Sequence, residues 1–116
     1  MSVIIYHNPR CSKSRETLAL LEAKGIHPKI ELYLQKQYTV AELQQLADKL
    51  GITDIRLMMR VKDELYQSLN LADSALTNAD LLNAISEHSV LLERPIVLNG
   101  DKAKIGRPPE SILEIL

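Results

Sequence analysis

The stretch VIIYHNPRCSKSRETLALLEAKG, residues 3–25, constrains the fold more than any other part of this chain. Its first four residues are a β-branched run that halts at the turn formers Asn8 and Pro9, which reads as a buried strand. The pattern then changes period. Leu18, Ala19, Leu20, Leu21 and Ala23 recur at helical spacing, and Gly25 supplies the stop. After Pro28 the segment KIELYL follows, with Ile30, Leu32 and Leu34 expected on one side of a second strand. The chain therefore begins as a βαβ unit, with a cysteine at the junction of strand and helix.

The middle third is helical by pattern. Thr39 with Glu42 forms a capping box ahead of TVAELQQLADKLG, and Gly51 ends that helix. DIRLMMR and VKDELYQSLNL read as one or two shorter helices. Thr77 with Asp80 opens NADLLNAISEHSVLL, whose Leu81, Leu82, Ile85 and Val90 suit one amphipathic helix. Next, PIVLNGDKAKI gives two short strands around Asn99-Gly100, a strong hairpin signal, and PPESILEIL closes the chain as a helix with proline in its first turn. The order predicts an α/β fold with a thioredoxin-like mixed sheet, β-α-β then β-β-α, and a helical insertion between the halves. The expectation is one domain over residues 1–116. No repeat, low-complexity segment or linker interrupts it.

Composition narrows the function. Fourteen Lys and Arg against fifteen Asp and Glu leave a net charge of -1, so no global field recruits nucleic acid or an anionic membrane. Any anion site is local. With four Tyr and no Phe or Trp there is no obvious platform for stacking bases. The start of the chain lacks a basic segment, a long apolar run and a small-residue cleavage site, and no apolar stretch has membrane-spanning length. A single cysteine cannot form an internal disulfide, and His7, His27 and His88 are too scattered for a zinc site. A cytoplasmic, reducing setting is expected.

Cys11 lies at the start of the first helix, where unpaired backbone N–H groups and the helix dipole favour an anion. Cysteines placed so, near cations, have pKa values lowered into the range of about 3.5 to 7.5. Ser14 can turn a hydroxyl toward the sulfur, and His7, Arg10, Lys13 and Arg15 crowd it. The plain alternative is a small buried hydrophobe; the charged flanks disfavour burial in an apolar pocket. Arg15 opposes the helix dipole unless an acid or a bound anion offsets it. Tyrosine-phosphatase chemistry is marked by an arginine six residues past the cysteine, and that residue is Thr17. A thioredoxin-type CxxC is CxxS here, so a thiol from outside the chain must release whatever Cys11 attacks.

YHNPRCSKSRETL, together with ERPIVL and GRPPE, resembles the glutaredoxin-coupled arsenate reductase family, the thioredoxin-fold group that also contains the Spx regulators. The likeness runs from Val3 to Leu116, and CSKS looks like a chromosomal subgroup. Plasmid-type reductases carry small residues, typically Gly-Thr, where this chain has Ser12-Lys13, and also a C-terminal extension. The resemblance implies that Cys11 is the nucleophile toward arsenate, with His7 lowering the thiol pKa and Ser14 hydrogen-bonding the thiolate. It further implies that Arg60, Arg94 and Arg107 bind the oxyanion and the arsenylated intermediate, and that Pro95 is a cis-proline. Guanidinium groups suit that task, because paired N–H donors match a tetrahedral oxyanion.

The reaction so implied is attack of Cys11 on arsenate, attack of glutathione on the adduct, reduction by glutaredoxin and release of arsenite. Glutathione is then a co-substrate, and neither a bound cofactor nor a metal is required. Two other readings belong to the same likeness: an Spx-like regulator that binds RNA polymerase, and a glutathione-dependent thiol oxidoreductase with another substrate. Met58 and Met59 read as core filling.

Overall fold

A computed structural model describes residues 2–116. Its elements are β1 (Val3–Tyr6), α1 (Ser12–Ala23), β2 (Lys29–Glu31), α2 (Val40–Leu50), α3 (Glu64–Ser68), α4 (Asn78–Glu87), β3 (Ile96–Asn99) and β4 (Lys102–Ile105), with short 3₁₀ helices between and after them. The four strands form one mixed sheet in the order β2-β1-β3-β4, with β1 and β2 parallel and the other pairs antiparallel. This is the thioredoxin-like α/β arrangement, with helices inserted between its halves. The chain forms two compact units, one running to Gln35 and resuming at Arg94–Leu116, the other Lys36–Glu93. Among the described residues no helix is long and apolar enough to cross a membrane.

In the sheet unit, Val3 and Ile5 of β1 and Val97 of β3 pack with Leu21 of α1 and Ile112 near the C-terminus. Leu18 and Leu20 add only partly buried area, because the innermost face of α1 is Ser14, Thr17 and Leu21. Two polar residues thus occupy core positions on a helix whose leucines predict otherwise. Strand β2 is shorter than the alternation suggests. It lies at the sheet edge, where Ile30 is 49% exposed although registered beside the buried Ile5. A 3₁₀ turn at Tyr33–Gln35 then breaks the parity, burying Tyr33 completely and leaving Leu34 44% exposed.

The hairpin turn is also displaced by one residue from the Asn99-Gly100 expectation. Asn99 pairs with Lys102, so the turn is Gly100-Asp101. Gly100 has a φ of 66°, and glycine at the first central position is the mark of a type II′ connection. The closing segment, Pro109–Ile115, is a 3₁₀ rather than an α-helix. Its inward residues Ile112 and Ile115 are three apart, the spacing that a three-residue turn brings to one side.

In the helical unit, Thr39 with Glu42 and Thr77 with Asp80 form complete capping boxes, as the sequence predicts. Helix α4 stops at Glu87, short of the expected SVLL, which becomes a 3₁₀ turn at Ser89–Leu91. Backbone bonds from Arg60 N–H to Leu91 O and from Glu93 N–H to Met58 O draw this segment out against Met58–Arg60. Met58, Met59, Leu91 and Leu92 are buried around that pairing.

Candidate active site

The sheet topology gathers the chemistry at one end. Strand β1 runs out into the loop that carries Cys11, and antiparallel β3 begins beside it. Strand β4 returns along β3 with Ile105 opposite Ile96, and Gly106 N–H continues the ladder to Pro95 O at 2.9 Å. One rung further stand Arg94 and Arg107, joined by a bond from Arg107 Nε to Arg94 O at 2.8 Å. Both arginines precede a cis-proline, Pro95 and Pro108. The hairpin register therefore sets two guanidinium groups side by side.

Both reach Cys11. Arg94 hydrogen-bonds the sulfur, and Arg107 Nη2 lies 3.7 Å from it. Cys11 is the N-cap residue of α1 and is 9% exposed, more enclosed than its charged sequence neighbours suggest, because the arginines converge on it. Its side chain makes no completed cap hydrogen bond, yet the N–H groups of Ser14 and Lys13 favour its anion. Burial is the largest single influence and pushes the thiol up; Arg94 and the two N–H groups together outweigh it, so the pKa lies below the ordinary cysteine value. Arg94 gains in return. Burial opposes its charge, but the Cys11 sulfur and the Tyr33 hydroxyl hold it protonated more firmly than usual.

His7 and Ser14 are brought together on the inner side of this site. His7 Nδ1 and Ser14 Oγ are 2.6 Å apart, and Ser14 Oγ also accepts the Asn8 N–H at 3.0 Å. The Ser14 hydroxyl is thus engaged with His7 and Asn8, and what it turns to the sulfur is its backbone N–H, not the hydroxyl expected from the sequence. Burial first, and the charge of Arg15 second, hold the His7 pKa below the usual histidine value. A neutral imidazole is the result near pH 7, hydrogen-bonded to Ser14.

Arg60 belongs to the helical unit, where its Nη1 donates to Asp63 Oδ2 at 2.8 Å. Two residues of the site were missed by the sequence reading. Gly106 has no room for a side chain: a Cβ there would meet Thr17 Oγ1 at 2.7 Å and Pro95 Cγ at 2.9 Å. This close approach seats the β4 end against α1 and so places Arg107. Thr17 is the buried partner in that contact, its hydroxyl donating to Lys13 O at 2.8 Å. The glycine directly before Arg107 was a visible signal, but only the fold shows what it approaches.

A cysteine at a helix N-terminus, with its thiol pKa lowered and two guanidinium groups at its sulfur, one of them on an exposed residue, can receive a tetrahedral oxyanion and attack it as the thiolate. The model of the ArsC family matches residues 6–115. The chain belongs to the ArsC family. Among its relatives, an arsenate reductase of Haemophilus influenzae is 76% identical over 116 residues, the whole of both chains. An Escherichia coli arsenate reductase is 37% identical over 115 residues, 99% of this chain and 81% of that protein. The structure of an arsenate reductase from Vibrio cholerae superposes with a TM-score of 0.97 at 56% identity, covering 100% of this chain and 98% of that one. In this ArsC-family member the convergence of Cys11, Arg94 and Arg107 falls within the matched span.

Proposed function

We propose that this protein is an arsenate reductase in which Cys11 is the nucleophile and external thiols supply the electrons. The observation that carries the reading is the pair Arg94 and Arg107 on the Cys11 sulfur. Arsenate docks against those guanidinium groups, and the thiolate attacks arsenic, forming a sulfur–arsenic bond as an arsenate oxygen leaves as water. Arg60, paired with Asp63 in the helical unit, is the third arginine that the resemblance assigns to oxyanion binding. His7 and Ser14 keep the start of α1 fixed while the charge on sulfur changes.

Reduction of arsenic by two electrons then consumes two thiols, glutathione and a glutaredoxin cysteine. They leave as a mixed disulfide, and arsenate plus two thiols becomes arsenite, one disulfide and one water. With a single cysteine the chain cannot form that disulfide internally. No bound cofactor or metal takes part, and the reducing cytoplasm is the setting in which such thiols are supplied.

The reading is tested by arsenate-dependent NADPH oxidation in the presence of glutathione, glutaredoxin and glutathione reductase. Wild-type protein is expected to turn over and Cys11→Ser to give the background rate. Equal rates for the two would remove the assignment.

A further inference from the structure

Whatever Cys11 carries must be removed by a thiol from outside, and that thiol needs a binding place beside the sulfur. A cavity of about 450 Å³ adjoins the loop leading into Cys11, within the size range of small-molecule sites. One wall is the loop itself, from His7 to Arg10; the other is the segment after β2, with Leu32, Leu34 and Gln35. The loop wall is well braced. Asn8 O accepts the Cys11 N–H at 2.9 Å, Asn8 Oδ1 accepts the Arg10 N–H at 3.0 Å, and Pro9 O accepts from Arg15 Nη1 at 3.0 Å.

Cations around Cys11 divide sharply. Arg94 and Arg107 face the sulfur, Arg15 is bonded to Pro9 O, and Lys13 is paired with Glu16 at 3.3 Å. The Arg10 guanidinium, among the described residues, has neither an ion pair nor a hydrogen bond, and Arg10 is one of the residues that line the cavity. Its Cα is one peptide unit, ~3.8 Å, from that of Cys11. An exposed arginine with its paired donors unused is a carboxylate receptor. The leucines opposite offer apolar surface to the rest of such a ligand.

We infer that this cavity is the subsite of the resolving thiol, a small peptide thiol bearing carboxylates, with one carboxylate on Arg10 and its sulfur directed to Cys11. The inference deepens the reading above, since it rests on an external thiol acting at Cys11. A protein partner docking through a broad face would not require a cavity of this size or a single carboxylate receptor within it.

The test uses thiol–disulfide exchange without arsenate. The Cys11 thiolate attacks glutathione disulfide, a Cys11–glutathione disulfide forms and one glutathione thiolate leaves. Bis(2-hydroxyethyl) disulfide, which has no carboxylate, is the control. Arg10→Glu is expected to slow exchange with glutathione disulfide by about fivefold and to leave the control rate unchanged. Leu34→Glu, at an exposed position that tolerates substitution, should act in the same direction. The pH profile of Cys11 alkylation by iodoacetamide, recorded for each variant, gives its thiolate fraction, and the two exchange rates are compared at equal thiolate fraction. Equal slowing with both disulfides, or no slowing in either variant, overturns the proposal.

In the coupled assay the same variants should raise the KM for glutathione and not that for arsenate. A rise confined to the KM for glutaredoxin would instead make Arg10 a protein-docking charge and overturn the small-thiol subsite. Carboxylate-dependent exchange in a protein that does not reduce arsenate would sink the reductase reading and leave this subsite standing.

Discussion

Helix α1 and the helices of the inserted unit begin in opposite ways. In α2, α3 and α4 the N-cap side chains Thr39, Asp63 and Thr77 each accept a backbone N–H, and each first turn holds an acid: Glu42, Glu64 and Asp80. Helix α1 has no completed side-chain cap bond and no acid in its first turn. It carries Lys13 and Arg15 there instead, and its N-cap is Cys11. The inserted helices thus satisfy their positive ends from within. In α1 that end is left for the sulfur and for an anion that docks on it, at the expense of about 1 kcal/mol of ordinary capping.

The sharpest way to break this contrast is Cys11→Ser. Activity should fall by more than about a thousandfold, while thermal unfolding at a pH below the Cys11 titration seen by alkylation should show stability unchanged or raised by about 0.5 kcal/mol, because serine is a better cap than a protonated thiol. A large loss of stability would mean that Cys11 is a packing residue after all. Arg94→Ala comes next. Turnover should drop about a hundredfold, and the alkylation profile of Cys11 should move to higher pH, since Arg94 is the leading influence that lowers the thiol. An unmoved profile would separate the arginine from the sulfur.

Gly106→Ala probes the contact that places Arg107. The clash with Thr17 and Pro95 is expected to reduce stability by about 1–3 kcal/mol, read by chemical denaturation, and to reduce turnover with it. Thr77→Ala is the matched change in the other region: a loss of about 1 kcal/mol, with the alkylation profile of Cys11 unaltered. The smallest effect is in the pH dependence of stability. A thiol with a lowered folded pKa contributes stability that is fully present above its unfolded value of ~8.5. That contribution disappears as pH falls through the folded value. Cys11→Ser should therefore remove one component of the slope of unfolding free energy on the alkaline side of neutrality.

Much of this architecture can be read without coordinates where the cause is local. The capping boxes at Thr39 and Thr77 are short-range hydrogen-bond patterns, and the strand-turn-helix passage through Cys11 is a change of period within a few residues. Errors arose where a distant segment settles the outcome. Placing the turn at Asn99-Gly100 would set Arg94 opposite Ile105, whereas the true turn, one residue later, carries the register through Pro95 and Gly106 to Arg107. Alternation in KIELYL also misleads, because an edge strand has cover on only part of its length and Tyr33, not Leu34, turns inward.

The roles of the polar groups divide in the same way. Proximity of His7 to Cys11 in sequence suggested a cation, and burial makes it a neutral partner of Ser14. The resemblance assigned three arginines to one task, two of them before a proline and Arg60 not. Arg94 and Arg107 converge on the sulfur because an antiparallel hairpin lays them across from each other, while Arg60 meets Asp63 three residues along its own segment.

By itself the sequence determined that a lone cysteine would stand at the uncapped start of a helix after a buried strand, since periodicity and turn chemistry act over a handful of residues. Which cations converge on that cysteine's sulfur, and which one stands beside a cavity instead, was decided only by the tertiary structure. Charge interactions depend on distance through space, and 83 or 96 positions of sequence separate Cys11 from Arg94 and Arg107 until the sheet closes.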